Sequence, residues 1–239
     1  DGFTVWDNCC DPESYVDDRI TGKEAFADAA QKLHQYRYSK LSAYGTANRP
    51  YPSPDHIYVV AHSLGALAAR EFIQTGGDNG FVIKLITLSG ANCGSPLSDW
   101  YPVYWRIPSV NKALPAVASL RPSYLRRHWY SRLHTPRYTP VVMAGGSAYL
   151  NGSLSLAIAG KVLSSLYPHS SNDGAVSLDS SFGQEYSGKD GNSEPHTTTW
   201  LGGGRRQFSL NHSGIKGDSG NATLLNWVDS TLSPSAGSS

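Results

Sequence analysis

The sequence predicts an α/β domain in which a mostly parallel sheet carries helices on both faces. Three observations predict it. The stretch "IYVV" (57–60) is a short β-branched run, as a strand buried on both faces requires, and Leu64, Leu67, Ala68 and Phe72 follow at once at helical spacing. Two more apolar runs, "FVIKLITL" (81–88) and "PVVMAG" (140–145), read as buried strands. Helical patterns alternate with these runs, and that alternation implies parallel strands joined by crossovers.

A chain of 239 residues, 39% of them hydrophobic, is long enough for one such domain with a full core. A single domain over 1–232 is expected, with "SPSAGSS" (233–239) as a disordered, linker-like tail. No run reaches the roughly 18 apolar residues of a membrane helix. The opening "DGFTVWDNCC" has neither the basic start nor the apolar centre of a secretory signal, so the expectation is a soluble chain, mature or cut.

Taken in order, "DGFTVWD" reads as a strand. "TGKEAFADAAQKLHQYRY" places Thr21 and Glu24 at capping-box spacing and puts Phe26, Ala29, Ala30, Leu33 and Tyr36 on one stripe, which predicts a helix. The Pro-rich turn "NRPYPSPD" stops it before the strand at 57. After the strand at 81–88 comes an insertion over about 99–139, much longer than an ordinary crossover and therefore read as a lid or binding loop. "LSLAIAGKVLSSLY" (154–167) predicts a helix, "RRQFSL" a strand before His212, and "TLLNWVDSTL" a closing helix with Leu224, Leu225, Val228 and Leu232 inward.

The net charge of +1 conceals an uneven distribution. Residues 100–139 hold Arg106, Lys112, Arg121, Arg126, Arg127, Arg132 and Arg137 with no Asp or Glu, so the segment carries +7 and the remainder −6. Such a block suits an anionic lipid surface, or else a solvated face that pairs with acidic loops. Nothing here points to nucleic acid. Cys9, Cys10 and Cys93, with few lysines and many Ser, Gly and Tyr, suggest an exported protein with at most one internal disulfide.

The chemistry begins at Ala61-His62-Ser63-Leu64-Gly65, a G-x-S-x-G elbow with alanine in first place. A sharp strand-to-helix turn brings neighbouring backbone together, so the positions two before and two after the serine must be small. A hydroxyl is a weak nucleophile until a base takes its proton, which demands a histidine and an acid later in the chain. "SSNDGAVSLDSSFG" offers Asp173 in an Asn-Asp-Gly turn, with Asp179 as rival, and "QFSLNHSGI" offers His212. His62 flanks the serine and is expected to point away from it, and the other histidines lack a matching context.

These segments together resemble the α/β-hydrolase superfamily, and within it the secreted bacterial lipases, over about residues 54–228: the A-H-S-x-G elbow, "TLSGANCGSPLSD" after the next strand, "NDGAVS" around the acid and "NHSGI" around the base. The resemblance implies Ser63 as nucleophile, His212 as general base, Asp173 as its carboxylate and the Leu64 N–H as half of an oxyanion hole. It also implies a central strand ahead of anything visible here, hence an upstream portion of the same polypeptide, and a second oxyanion donor that either lies in that portion or is Phe3. Several such lipases hold calcium through an aspartate two residues after the histidine. That position is Gly214, so no cofactor is expected, with calcium the one ion the resemblance leaves open.

Trp100, Tyr104, Trp105 and Trp129 crowd the insertion beside its arginines, a pairing suited to a lipid–water interface. The expected function is a secreted serine lipase cleaving long-chain acyl esters. Two alternatives remain: a phospholipase or acyltransferase acting on anionic lipid, and a catalytically silent lipid-binding module that retains the hydrolase shell.

Overall fold

The computed structural model describes residues 4–7, 15–16, 27–32, 35, 57–75, 82–100, 114–130, 139–184, 204–216 and 220–232. Among the described residues six strands form one sheet: β1 (Thr4–Asp7), β2 (Tyr15–Val16), β3 (Ile57–His62), β4 (Val82–Leu88), β5 (Val141–Gly146) and β6 (Arg205–Phe208). Their order is β2-β1-β3-β4-β5-β6. The four strands from β3 to β6 run parallel, with His62 beside Leu88 and Leu88 beside Ala144. All of their carboxyl ends therefore open on one edge, where catalytic loops of a parallel sheet gather. β1 pairs antiparallel with β3, Thr4 lying opposite Val60, and thereby satisfies the backbone groups along that edge of β3.

The helices are α1 (27–32), α2 (Leu64–Gln74), α3 (Leu114–Ser119), α4 (Pro122–Tyr130), α5 (Leu154–Leu166), α6 (Leu178–Ser181) and α7 (Ala222–Leu232). Side chains alternate across a strand, and this alternation divides the core in two. Val59, Ala61, Leu85, Val141 and Met143 face Ala29 and Ala30 of α1, Leu67 and Phe72 of α2 and Leu125 of α4. Ile86, Leu88 and Ala144 face the other way, onto Phe208, Ile215 and Leu224, with Trp227 and Val228 of α7 against them. Helices thus cover both faces. Burying one Leu, Phe or Ile of α2 contributes about 1.5–3 kcal/mol, and the helix is buried on nearly every side from Ala66 to Ile73.

Leu225 departs from expectation, being 50% exposed. Leu224, Trp227 and Val228 already fill the inward stripe of α7, and Leu225 lies a further 100° or so round the helix from Leu224.

Candidate active site

β3 ends at His62 and α2 begins at Leu64, so Ser63 alone makes the turn between them. Its φ of 54° with ψ of −125° lies where a residue with a Cβ is strained, at a cost of about 1–3 kcal/mol. Neighbouring backbone holds it there. The Ser63 N–H donates to the Leu88 carbonyl at 3.1 Å, and the Ala66 N–H donates to the Ser63 carbonyl at 3.1 Å. Ser63 occupies the N-cap of α2, yet its side chain makes no capping hydrogen bond. Its Oγ lies instead 2.9 Å from His212 Nε2. The Leu64 N–H sits in the first helical turn, where N–H groups have no intrahelical acceptor.

Two loops bring the partners to the same edge. After β5 and α5, Asn172 accepts from the Gly174 N–H at 3.1 Å and donates to the Gly160 carbonyl and to Ser164 Oγ, clamping the turn that carries Asp173 to α5. Gly174 has φ of +104°, and a Cβ there would come within 2.8 Å of the Leu156 carbonyl oxygen, so glycine is required. After β6, Asn211 accepts from the N–H groups of Ser213 and Gly214, and its amide donates to the Asn151 carbonyl at 2.8 Å. His212 then meets Asp173 twice: its N–H reaches the Asp173 carbonyl at 2.9 Å, and its Nδ1 lies 2.8 Å from Oδ2.

Asp173 is 0% exposed. Its Oδ1 accepts from the N–H groups of Ala175 (2.9 Å) and Val176 (2.8 Å). Burial pushes its pKa up, but the hydrogen bond and charge of His212, with the Ser89 hydroxyl and Val176 N–H, outweigh burial and hold it below the ordinary carboxylate value. The result is a buried anion behind an imidazole that touches a hydroxyl. Asp179, the rival carboxylate, lies in the first turn of α6.

No protein-family model and no curated protein matches the sequence. Among solved structures, the propeptide form of the Bacillus licheniformis lipase BlEst2 matches with a TM-score of 0.64 at 16% identity, over 90% of this chain and 43% of that one. Its mature form gives 0.57 at 15% identity, over 86% and 74%. A metagenomic carboxyl esterase gives 0.54 at 19% identity, over 80% and 52%. The fold is that of the α/β hydrolases. The chain spans less than half the length of the first of these structures.

In this α/β-hydrolase frame two supporting residues escaped the sequence reading. Ser89 follows β4 as Ser63 follows β3, and it too has a positive φ, 44°. Its buried hydroxyl donates to the Asp173 carboxylate and accepts from the Gly146 N–H at 3.1 Å. His62 does not simply turn away from the site: its Nε2 donates to the His212 carbonyl at 2.9 Å. Its position on the last residue of the elbow strand, at the edge where the loops converge, was the available signal.

Gly146 closes the packing. A Cβ there would lie 2.6 Å from the Leu210 carbonyl oxygen and 2.8 Å from the Asp173 Cβ. Gly146→Ala is therefore expected to push the acid loop and the His212 loop apart, costing about 1–3 kcal/mol in denaturant unfolding. Unchanged stability would show that the loops yield freely.

The insertion is represented by α3 and α4 among the described residues, and these are docked on the body. Leu125 is in the core, the Ser95 N–H donates to the Leu120 carbonyl at 2.9 Å, and His128 Nε2 lies 2.9 Å from Glu71 Oε2 of α2. Trp100 ends the 3-10 turn Pro96–Trp100 and Trp129 belongs to α4. Tyr104, Trp105 and Phe3 lie outside the described residues, as do Cys9 and Cys10. Arg121 approaches Asp99 at 4.0 Å, while Arg126 and Arg127 are exposed.

Among the described residues no group of three His, Cys, Asp or Glu could hold a metal ion. Gly214, where the resemblance would place a calcium aspartate, is buried and has no side chain to offer.

Proposed function

We propose that the protein is a secreted serine carboxylic-ester hydrolase, a lipase that cleaves long-chain acyl esters through an acyl-enzyme. The observation that carries this reading is the continuous contact from Asp173 Oδ2 through His212 to Ser63 Oγ, at 2.8 and 2.9 Å. In the forward step Ser63 Oγ attacks the ester carbonyl carbon while His212 Nε2 takes its proton. The Asp173 carboxylate stabilises the imidazolium, and the oxyanion settles toward the Leu64 N–H. His212 then protonates the departing alkoxide as the ester C–O bond breaks. Water enters, gives its proton to His212 and attacks the acyl carbon, and Ser63 leaves with that proton as the acid is released.

Support for a long acyl chain comes from large apolar side chains left exposed on α5 and on the turn before it. Leu150, Leu154 and Ile158 are 72%, 77% and 55% exposed, Leu154 and Ile158 lie one turn apart on α5, and Asn151 bonds directly to the residue before His212. Turnover of p-nitrophenyl esters is therefore expected to rise from acetate toward palmitate. Leu154→Asp should cut palmitate turnover about tenfold while leaving acetate nearly unchanged, since one leucine contact contributes about 1.5–3 kcal/mol. Equal losses on both esters would detach these side chains from the acyl chain.

Export is supported by composition alone, the cysteine usage and the Ser, Gly and Tyr content. A second reading, a phospholipase or acyltransferase working on anionic lipid, rests on Arg126 and Arg127 standing exposed on α4. Preference for phosphatidylglycerol over neutral diacylglycerol vesicles would favour it.

A further inference from the structure

We infer that His62 is a positioning residue for the hydrolysis proposed above, pinning the carbonyl of His212 to the strand that carries Ser63 so that base and nucleophile keep one separation through both halves of the reaction. The inference rests on that reading of Ser63 and His212. It is carried by where the bonds of His212 go. Its N–H and its Nδ1 both run to Asp173, which ties the base to the acid loop and not to the elbow. Two hydrogen bonds run to the elbow: Nε2 with Ser63 Oγ, and the carbonyl with His62 Nε2.

The first of these is lost in every turnover. Once Ser63 is acylated its Oγ belongs to an ester and has no proton to share, so Asp173 still holds His212 to the acid loop while the His62 bond is what ties it to the elbow. At that stage His212 must hold a water at attacking distance from the acyl carbon, where a small displacement is costly. His62 is built for a fixed role. It is the last residue of β3, paired beside Leu88, and its ring lies 4.6 Å from that of His212. A carbonyl only accepts, so Nε2 carries the proton and the ring can be neutral. Burial first, and the neighbouring His212 second, lower its pKa to about 3, which keeps a second positive charge away from the imidazolium.

The prediction is that His62 matters more for deacylation than for acylation. The test is stopped-flow hydrolysis of p-nitrophenyl butyrate by the full chain beside His62→Leu, His62→Asn and His62→Gln. His62→Leu, which keeps bulk but cannot donate, is expected to lower kcat about tenfold, the loss of roughly one hydrogen bond. KM should fall with it, and a burst approaching about one p-nitrophenol per site should appear as acyl-enzyme accumulates. His62→Asn, whose amide falls short of the carbonyl, should behave like His62→Leu. His62→Gln, whose amide nitrogen reaches the place of Nε2, should restore most of kcat and abolish the burst.

A purely structural role would lower kcat/KM along with kcat, give no burst and show no rescue by glutamine, and would overturn the inference. So would His62→Asn matching the wild type. Wild-type chain that neither turns over the ester nor labels at Ser63 with a fluorophosphonate would overturn the hydrolase reading and this inference with it, whereas labelled, active wild type with indifferent variants overturns the inference alone.

Discussion

Ser63→Ala is expected to lower p-nitrophenyl ester turnover by on the order of 10⁶ and to abolish stoichiometric fluorophosphonate labelling. The size follows from the geometry. Removing Oγ leaves His212 Nε2 with no hydroxyl to activate, and the buried Asp173 anion then stabilises an imidazolium that never forms. The same position yields a second readout. Because φ at Ser63 is 54°, Ser63→Gly should be more stable than Ser63→Ala by about 1 kcal/mol, although both lack the nucleophile. Dead but firmer glycine protein would tie the strain to the task of presenting the hydroxyl. Equal background turnover in Ser63→Ala and wild type would favour a lipid-binding module that retains the hydrolase shell.

Much of this was legible in the sequence, for local reasons. β3, β4 and β5 are buried on both faces, which leaves mostly apolar runs, interrupted in β4 only by Lys84 and Thr87, and α2 and α7 carry their own 3.6-residue period. The elbow was legible because a sharp turn forces small residues at fixed spacing, and Asp173 was preferred to Asp179 because Asn-Asp-Gly dictates a turn. What stayed hidden is tertiary. "TVWD" reads as a strand, but four residues carry no sign of partner or direction, so its antiparallel seat on β3 could not be foreseen. Ser89 and His62 belong to no periodic pattern; they matter through a carboxylate and a carbonyl that lie, respectively, 84 and 150 residues further along the chain. The insertion was marked by its arginines and aromatic rings, whereas its docking depends on Leu125 entering the core and His128 finding Glu71.

Asp173→Asn tests the electrostatic half of the site. An amide can offer an N–H to His212 Nδ1, which moves the imidazole proton to Nε2 and leaves nothing there to accept from Ser63. Turnover at pH 7 is therefore expected to fall on the order of 10⁴ with the fold retained. The sign of the accompanying pH effect follows from the direction of the shift. The folded carboxyl lies below its ordinary value because His212, Ser89 and Val176 outweigh burial. A carboxylate depressed in the folded state adds stability above its unfolded pKa of about 3.9, and that contribution is lost as pH falls through the lower folded value. The stability gap between wild type and Asp173→Asn should thus be widest at neutral pH and should narrow below about pH 4, by denaturant unfolding at each pH. A gap that stayed constant down to pH 3 would mean that burial cancels the gain, and the carboxylate would then be present for catalysis at no net benefit to the fold.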